Sequence, residues 1–315
     1  MNNQNFKAYL AYIAVCVIWG TTYLAIKIGV TDLPPFLFAG LRWITAGIIL
    51  IGYLFLRGYK FPVKDDLIHL FIVGISLLGF GNGFVVIAEQ WLPSGLTSLL
   101  ITTIPIWVVI IEMLLPNSPK INFLVILGII IGTSGVVLIF WNDLDKIFNS
   151  DYFLGILSMF GAVVVWVIGS LWSKYKKVSV KPLMGATFQM LFAGVLQVIL
   201  GSLLGEWSVF HFTQDSFYAF AYLVLIGSLF GYTSFIYAIA HLPVSFVSTY
   251  TYVNPIIALY LGWLVLNEEV NIILFAATAL ILGGVVIVKM GHERIKTKNK
   301  TAQANRWKYR KTSIR

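Results

Sequence analysis

Residues 80–105 read FGNGFVVIAEQWLPSGLTSLLITTIP, and residues 230–255 read FGYTSFIYAIAHLPVSFVSTYTYVNP. The two stretches are versions of one pattern. Phe80-Gly81, Ala88, Leu92-Pro93 and Pro105 recur as Phe230-Gly231, Ala238, Leu242-Pro243 and Pro255, each 150 positions later. The correspondence extends in both directions. Trp19, Lys27, Arg42 and Ala46-Gly47 recur 147 positions later as Trp166, Lys174, Gln189 and Ala193-Gly194. Gly135-Val136-Val137 recurs 149 positions later as Gly284-Val285-Val286. A series in order at nearly constant spacing marks an internal repeat.

Each copy is apolar almost throughout. A helix needs about 20 mostly apolar residues to cross hydrocarbon. Ten such runs follow one another, near 8–30, 36–57, 67–89, 94–115, 121–140, 152–172, 183–205, 217–240, 244–266 and 271–290. Connections are too short for a separate soluble domain. The first run is too long for the apolar region of a signal peptide, and no small-x-small cleavage pattern follows it. The expected fold is therefore an all-α integral membrane protein of ten transmembrane helices, with halves at 8–140 and 152–290 and a tail at 291–315. Five spans per half is an odd number, so the second half enters the membrane from the opposite face. Such inverted repeats are the architecture of many secondary transporters.

Composition agrees. Of 315 residues, 59% are hydrophobic and 11% charged, and mean hydropathy is +0.87. Soluble domains carry about 25% charged residues. The single cysteine, Cys16, lies inside an apolar run and carries no redox information.

The net charge of +9 resides in the tail, where residues 289–315 hold ten Lys or Arg and one acid, Glu293. The rest of the chain holds twelve basic and twelve acidic residues. Nucleic acid is thus not an expected partner. A basic arm beside a membrane helix reads as a cytoplasmic anchor on anionic lipid. With both termini in the cytoplasm, 19 of the 22 basic residues fall on the inner side, and only Lys146 lies in an outer connection. That contrast is the positive-inside pattern.

Helix breakers carry the next signal. Pro105 and Pro255 each lie about eleven residues into their spans. Each proline removes a backbone donor and frees a carbonyl one turn back, which hydrocarbon tolerates only beside protein or a water-lined cavity. Gly79-Phe80-Gly81-Asn82-Gly83 lies inside a span and lacks the strand and the Lys-Ser/Thr of a phosphate loop, so it reads as close packing or local loosening around Asn82. Gly128-x-x-x-Gly132 and Ala279-x-x-x-Gly283 read as faces for close helix approach.

Several stretches together resemble a known family. They are Trp19-Gly20-Thr21-Thr22-Tyr23, Pro34-Pro35 with Gly40-x-Arg42, Gly81-Asn82-Gly83 leading to Ala88-Glu89, and Pro93-Ser94-Gly95 before Pro105. In the second half they are Ser248-x-x-Tyr252-x-Asn254-Pro255 and Gly262-x-x-x-x-Asn267-Glu268. Their order is similar to that of the drug/metabolite transporter superfamily with two EamA-type domains, closest to its inner-membrane YedA-like branch. The resemblance runs from the first span to the tenth. It implies a multi-pass protein of the bacterial cytoplasmic membrane and a secondary carrier, often an exporter of amino acids or other small metabolites. It also implies a central cavity lined mainly by spans one, three, four, six, eight and nine. One departure is Trp166-Val167-Ile168-Gly169, where the family has a glycine soon after the tryptophan.

Polar or aromatic groups near mid-depth on those spans are the candidate cavity residues: Trp19, Thr22 and Tyr23; Asn82; Thr102, Thr103 and Pro105; Trp166 and Ser170; Tyr232 and Tyr237; Ser248, Tyr252, Asn254 and Pro255. A small polar solute needs a concave, largely apolar site with a few convergent donors and acceptors. Against that stand interface-belt roles for Trp and Tyr and self-bonding of Ser and Thr to their own helix. Arg42 lies well inside span two. It fits attraction of an anionic solute, snorkelling to headgroups, or a structural pair with Glu89. Lys27 and Lys174 read as snorkelling anchors or gate pairs. Glu89 and Glu112 are candidates for a gate, a charge pair or a proton carrier.

No Walker loop, metal cluster, His-Glu-x-x-His or Gly-x-Ser-x-Gly is present, so an enzyme is a distant alternative and no cofactor is expected. A lipid-linked or nucleotide-sugar carrier on the same fold is the nearer alternative. A small-molecule substrate is expected, with a monomer as the unit.

Overall fold

The computed structural model describes residues 3–92, 94–115, 121–139, 141, 150–257 and 272–312. Every regular element among them is helical. α1 (Asn3–Asp32) and α2 (Pro35–Leu56) are joined by a two-residue turn. Pro34 and Pro35 start α2, and the N-terminus lacks a capping side chain of its own. Glu206 supplies one from the second half, accepting from the Leu37 amide at 2.7 Å and the Phe36 amide at 3.3 Å. A carboxylate at a helix N-terminus meets unpaired amides and the positive end of the dipole.

The third span is not one regular helix. α3 (Lys64–Gly74) widens into a π-helical stretch at Ile75–Asn82, then returns to α geometry as α4 (Gly83–Trp91). In the second half, α10 (Gln214–Tyr222), a π-helical stretch at Leu223–Tyr232 and α11 (Thr233–His241) repeat the design. The loosening expected around Asn82 is thus a real change of helix type, and it occurs at the matching place in both halves. Widened turns leave carbonyls poorly served, and such segments mark functional sites. Side chains from other helices serve these. Gln197 Nε2 donates to the Leu78 and Gly79 carbonyls at 3.0 and 2.8 Å, and Trp19 Nε1 donates to the Gly227 carbonyl at 3.2 Å.

The fourth span is α5 (Ser94–Ile101) and α6 (Ile104–Leu114), parted at Thr102 and Thr103. Those hydroxyls donate back to the Leu99 and Leu100 carbonyls at 2.6 and 2.9 Å. α12 (Val244–Val247) and the helical turns of α13, 250–257, are parted at Ser248 and Thr249, whose hydroxyls bond the Ser245 and Phe246 carbonyls. The prolines stand differently. Pro105 sits in the first turn of α6, where no donor is needed. Pro255 sits inside α13 and leaves the Thr251 carbonyl without its usual donor. The remaining elements are α7 (Phe123–Ile139), α8 (Phe153–Tyr175), α9 (Pro182–Leu203) and α14 (Ile272–Thr312).

Eight helical stretches among the described residues are long and apolar enough to cross a membrane, and Phe123–Leu138 is a shorter ninth. The expected span at 244–266 is described to residue 257; its remainder, with Gly262, Asn267 and Glu268, lies outside the described residues. α14 continues from its apolar part into the basic tail as one helix of 41 residues, about 60 Å long at 1.5 Å per residue.

Helices pair across the two halves. α2 lies along α9 and α7 along α14. α1 packs on the second π-helical stretch and on α11, while α8 packs on the first and on α4. The α7–α14 contact is backbone on backbone: a Cβ added at Gly284 would lie 2.6 Å from the Gly128 carbonyl. The sequence reading placed the α14 face on Ala279 and Gly283. A Cβ at Gly283 meets nothing within 4 Å, and the contact stripe is instead Ala277, Gly284 and Gly291. Seven residues make nearly two turns, so these three stay on the side facing α7.

Gly284→Leu should part the two helices and lower the thermal midpoint in detergent, a loss on the order of 1–3 kcal/mol for overpacking. Gly283→Leu should leave the midpoint unchanged in the same scanning fluorimetry.

Candidate functional site

A cavity lies where the halves meet. It is bounded by Trp19, Thr22, Tyr23 and Ile26 of α1, Arg42 and Trp43 of α2, Leu78, Gly81 and Asn82 of the first π-helical stretch, Val85 of α4, Ile101 of α5, Ala162 and Trp166 of α8, and Tyr250 of α13. Its enclosed space is about 50 Å³, room for a few waters and too little for a metabolite.

Two tryptophans build its floor. Trp19 and Trp166 occupy matching places in the repeat and meet edge to face, ring centroids 5.5 Å apart. Each rests on a glycine of the other half. A Cβ at Gly231 would lie 2.6 Å from Trp19 Nε1, and one at Gly81 would lie 3.1 Å from Trp166. Phe235 fills the space behind, 5.2 Å from Trp19 and 5.5 Å from Trp166. Tyr250 closes the group at 5.0 Å from Trp19.

Of the residues singled out in the sequence, Trp19, Thr22, Tyr23, Asn82, Trp166 and Arg42 come together at this cavity. The others stand elsewhere. Thr102, Thr103 and Ser248 bond their own helices, as does Thr22, whose hydroxyl donates to the Trp19 carbonyl at 2.9 Å. Tyr252 turns away to α7, its hydroxyl 3.0 Å from that of Thr133. Asn254 ties α13 to α1, its amide nitrogen donating to the Tyr250 and Cys16 carbonyls at 3.0 Å each. Tyr232 stands one layer back and donates to Gln189 Oε1 at 2.7 Å. Tyr237 pairs with the His241 ring at 4.3 Å. Ser170 is buried within α8, and Pro105 and Pro255 are buried at or after the breaks.

Sequence reasoning missed Trp43 and Tyr250. Tyr250 was legible by helical spacing, since it shares a face with Asn254 four residues on while Tyr252 faces the other way. Trp43 was set aside with its whole span. The lining differs accordingly from the expected one: span two contributes and span eight supports from behind through Phe235.

Arg42 neither snorkels nor pairs with Glu89. It is 2% exposed. Its Nε donates to the Ser228 hydroxyl at 2.9 Å, and its guanidinium lies 4.3 Å over the Trp43 ring. Its Nη1 is buried without a partner, as are Trp43 Nε1 and Asn82 Oδ1.

The lysines are helix caps. Lys27 donates to the Glu89 and Leu92 carbonyls at the end of α4. Lys174, its match in the repeat, donates to the Ile239 and Leu242 carbonyls at the end of α11, at 3.0 and 2.8 Å. Cations at helix C-termini satisfy the last carbonyls and the dipole together. Each also faces an acid: Lys27 faces Glu89, and Lys174 faces Glu112, which accepts from the Tyr175 hydroxyl at 2.8 Å.

The profile of the EamA-like transporter family matches residues 6–141 and 153–290. The chain belongs to that family. Among its relatives, the protein named uncharacterized inner membrane transporter YedA, of Escherichia coli strain K12, is 33% identical over 289 residues, covering 91% of this chain and 92% of its own. The uncharacterized transporter YoaV of Bacillus subtilis strain 168 is 28% identical, covering 89% of this chain and 95% of its own. One solved crystal structure superposes with a TM-score of 0.73 at 21% identity, covering 90% of this chain and 97% of the other, and shows likeness of fold alone. Membership makes this EamA-like chain a membrane transporter.

The Lys27–Glu89 arrangement predicts non-additivity. Lys27→Met leaves two carbonyls and a buried carboxyl without their cation, and should lower the thermal midpoint. Glu89→Gln should partly restore it. A double-mutant cycle in detergent should return a coupling on the order of 1 kcal/mol.

Proposed function

We propose that this protein is a secondary-active carrier of the bacterial inner membrane that exports small metabolites, amino acids or drug-like compounds among them, by alternating access. In this reading ten helices form two five-helix repeats, 8–140 and 152–290, in inverted orientation with both termini in the cytoplasm. The observation that carries it is the meeting of Trp19 and Trp166 in one cavity. Matching residues of two halves enclose a shared space, and rocking of the halves exposes it to either side. Reciprocal packing of α1 on the second π-helical stretch and α8 on the first supports the same reading. So does the small volume, because a cavity of about 50 Å³ must widen to admit a solute.

The names of the relatives support a transporter, and that of YedA an inner-membrane one. The basic continuation of α14 rests on anionic lipid at the cytoplasmic face. A nucleotide-sugar or lipid-linked cargo would require several phosphate-binding cations, and Arg42 is the one cation among the described lining residues.

Metabolite profiling tests the carrier. Medium and cytosol are compared for strains lacking the protein, overproducing it, and overproducing Trp166→Ala. A solute should rise in the medium with the intact protein and return towards the level of the deletion strain with the variant. Equal profiles in all three would remove the export reading. Orientation is tested by replacing Cys16 with Ser and placing single cysteines at Lys60 and at Ser208. An impermeant maleimide on whole cells should label the second and spare the first.

A further inference from the structure

The geometry points to a substrate class: Arg42, Trp43 and Asn82 line one cavity with buried polar atoms that have no partner, and the site takes a small organic monoanion, a carboxylate with an aromatic or branched apolar body. The inference rests on the carrier reading and narrows its solutes to monoanions, ranking zwitterionic amino acids below them.

Arg42 carries five N–H donors in a fixed fork. The Ser228 hydroxyl takes one, and Nη1 takes none. The side chain is 2% exposed. Among the described residues no carboxylate faces it: Glu89 stands with Lys27, and Glu112 with Tyr175 and Lys174. A buried cation without a counter-charge is costly. Here it borders a cavity, where an incoming anion would offset that cost.

Two further groups fit the same guest. Trp43 Nε1 is a second buried donor without a partner. A guanidinium and a second N–H donor lining one cavity are groups that bind carboxylate oxygens. Asn82 Oδ1 is a buried acceptor without a partner, suited to a hydroxyl or an N–H on the guest. The aromatic part of the lining is Trp19, Trp166 and Tyr250, which receives a flat or branched apolar body. Charge selects among guests. Among the described residues Arg42 is the only ionic side chain lining the space, so a monoanion is matched, a zwitterion brings an ammonium with no carboxylate to meet it, and a cation is repelled.

The experiment uses purified full-length protein in proteoliposomes and four matched probes: 3-phenylpropionate, phenylalanine, phenethylamine and 3-phenylpropanol. Binding is read by thermal shift in detergent and transport by counterflow of radiolabelled probe. The wild type should prefer 3-phenylpropionate to each of the others by about tenfold or more, the scale of one hydrogen bond to a charged group. Arg42→Gln should abolish that preference while its midpoint without probe holds or rises, because an unpaired buried charge has been removed. A fall in midpoint with unchanged preference would make Arg42 structural and overturn the proposal. Trp43→Phe keeps an aromatic face, though a smaller one, and removes the Nε1 donor; it should weaken the anion about fivefold or more relative to 3-phenylpropanol. No loss in that variant would also overturn it. Counterflow of phenylalanine or the alcohol without the anion would sink the substrate class and leave the carrier standing. Absence of counterflow for every probe, together with equal metabolite profiles in the strains, would remove the carrier as well.

Discussion

Hydrocarbon offers no water to a backbone polar group, and this one constraint organises the protein. Each unsatisfied amide or carbonyl at membrane depth costs several kcal/mol. Four spans nonetheless depart from the regular helix, two by widening and two by breaking. Carbonyls of the widened turns and helix ends are met by side chains of other helices: Gln197 at the first π-helical stretch, Trp19 at the second, and Lys27 and Lys174 at the ends of α4 and α11. At the breaks, hydroxyls of Thr102, Thr103, Ser248 and Thr249 serve carbonyls of their own segment. The first π-helical stretch, the end of α5 and the start of α13 border the cavity.

The same economy governs charge. Among the described residues, Arg42, Glu89 and Glu112 are ionic side chains of the spans that are essentially inaccessible, and their surroundings differ. Glu89 faces the ammonium that caps α4, while its carboxylate oxygens accept no hydrogen bond. Glu112 accepts from Tyr175. Arg42 has a hydroxyl, an aromatic face and an empty neighbouring space. Asp66, nearer a helix start, is held by the Ser179 amide and hydroxyl, and Glu206 by the N-terminus of α2. These last contacts join a connection of one half to an element of the other. They stitch the halves at their rims, while aromatic rings fill the centre.

Much of this was legible before any coordinates. The repeat showed that Trp19 and Trp166 are counterparts, as are Lys27 and Lys174, because matched letters at constant spacing imply matched environments. The glycines at 128 and 132 marked a close helix contact, because only a missing Cβ permits it. The partner stripe on α14 was misjudged by one residue, Gly283 for Gly284, since small residues stand on both sides of that helix. Tyr252 is marked by its place in the Ser248-x-x-Tyr252-x-Asn254-Pro255 motif and Tyr250 is not, because a motif read along the chain carries no helical phase. Ser and Thr hydroxyls could not be sorted into site and backbone roles, for a hydroxyl that bonds its own helix and one that faces a cavity are the same letter.

The sequence by itself determined the class of protein, the apolar segments, the repeat and the family, because these follow from local composition and from order along the chain. Tertiary structure decided which of the marked residues meet. Arg42 is the case in point. Its burial cost was readable from one letter in an apolar run, but whether a carboxylate, a headgroup or an open space would answer it depended on how α2 turns against α1 and the second π-helical stretch. That rotation is set by the packing of α2 on α9, two helices separated by more than a hundred residues, and no pattern within either one specifies it.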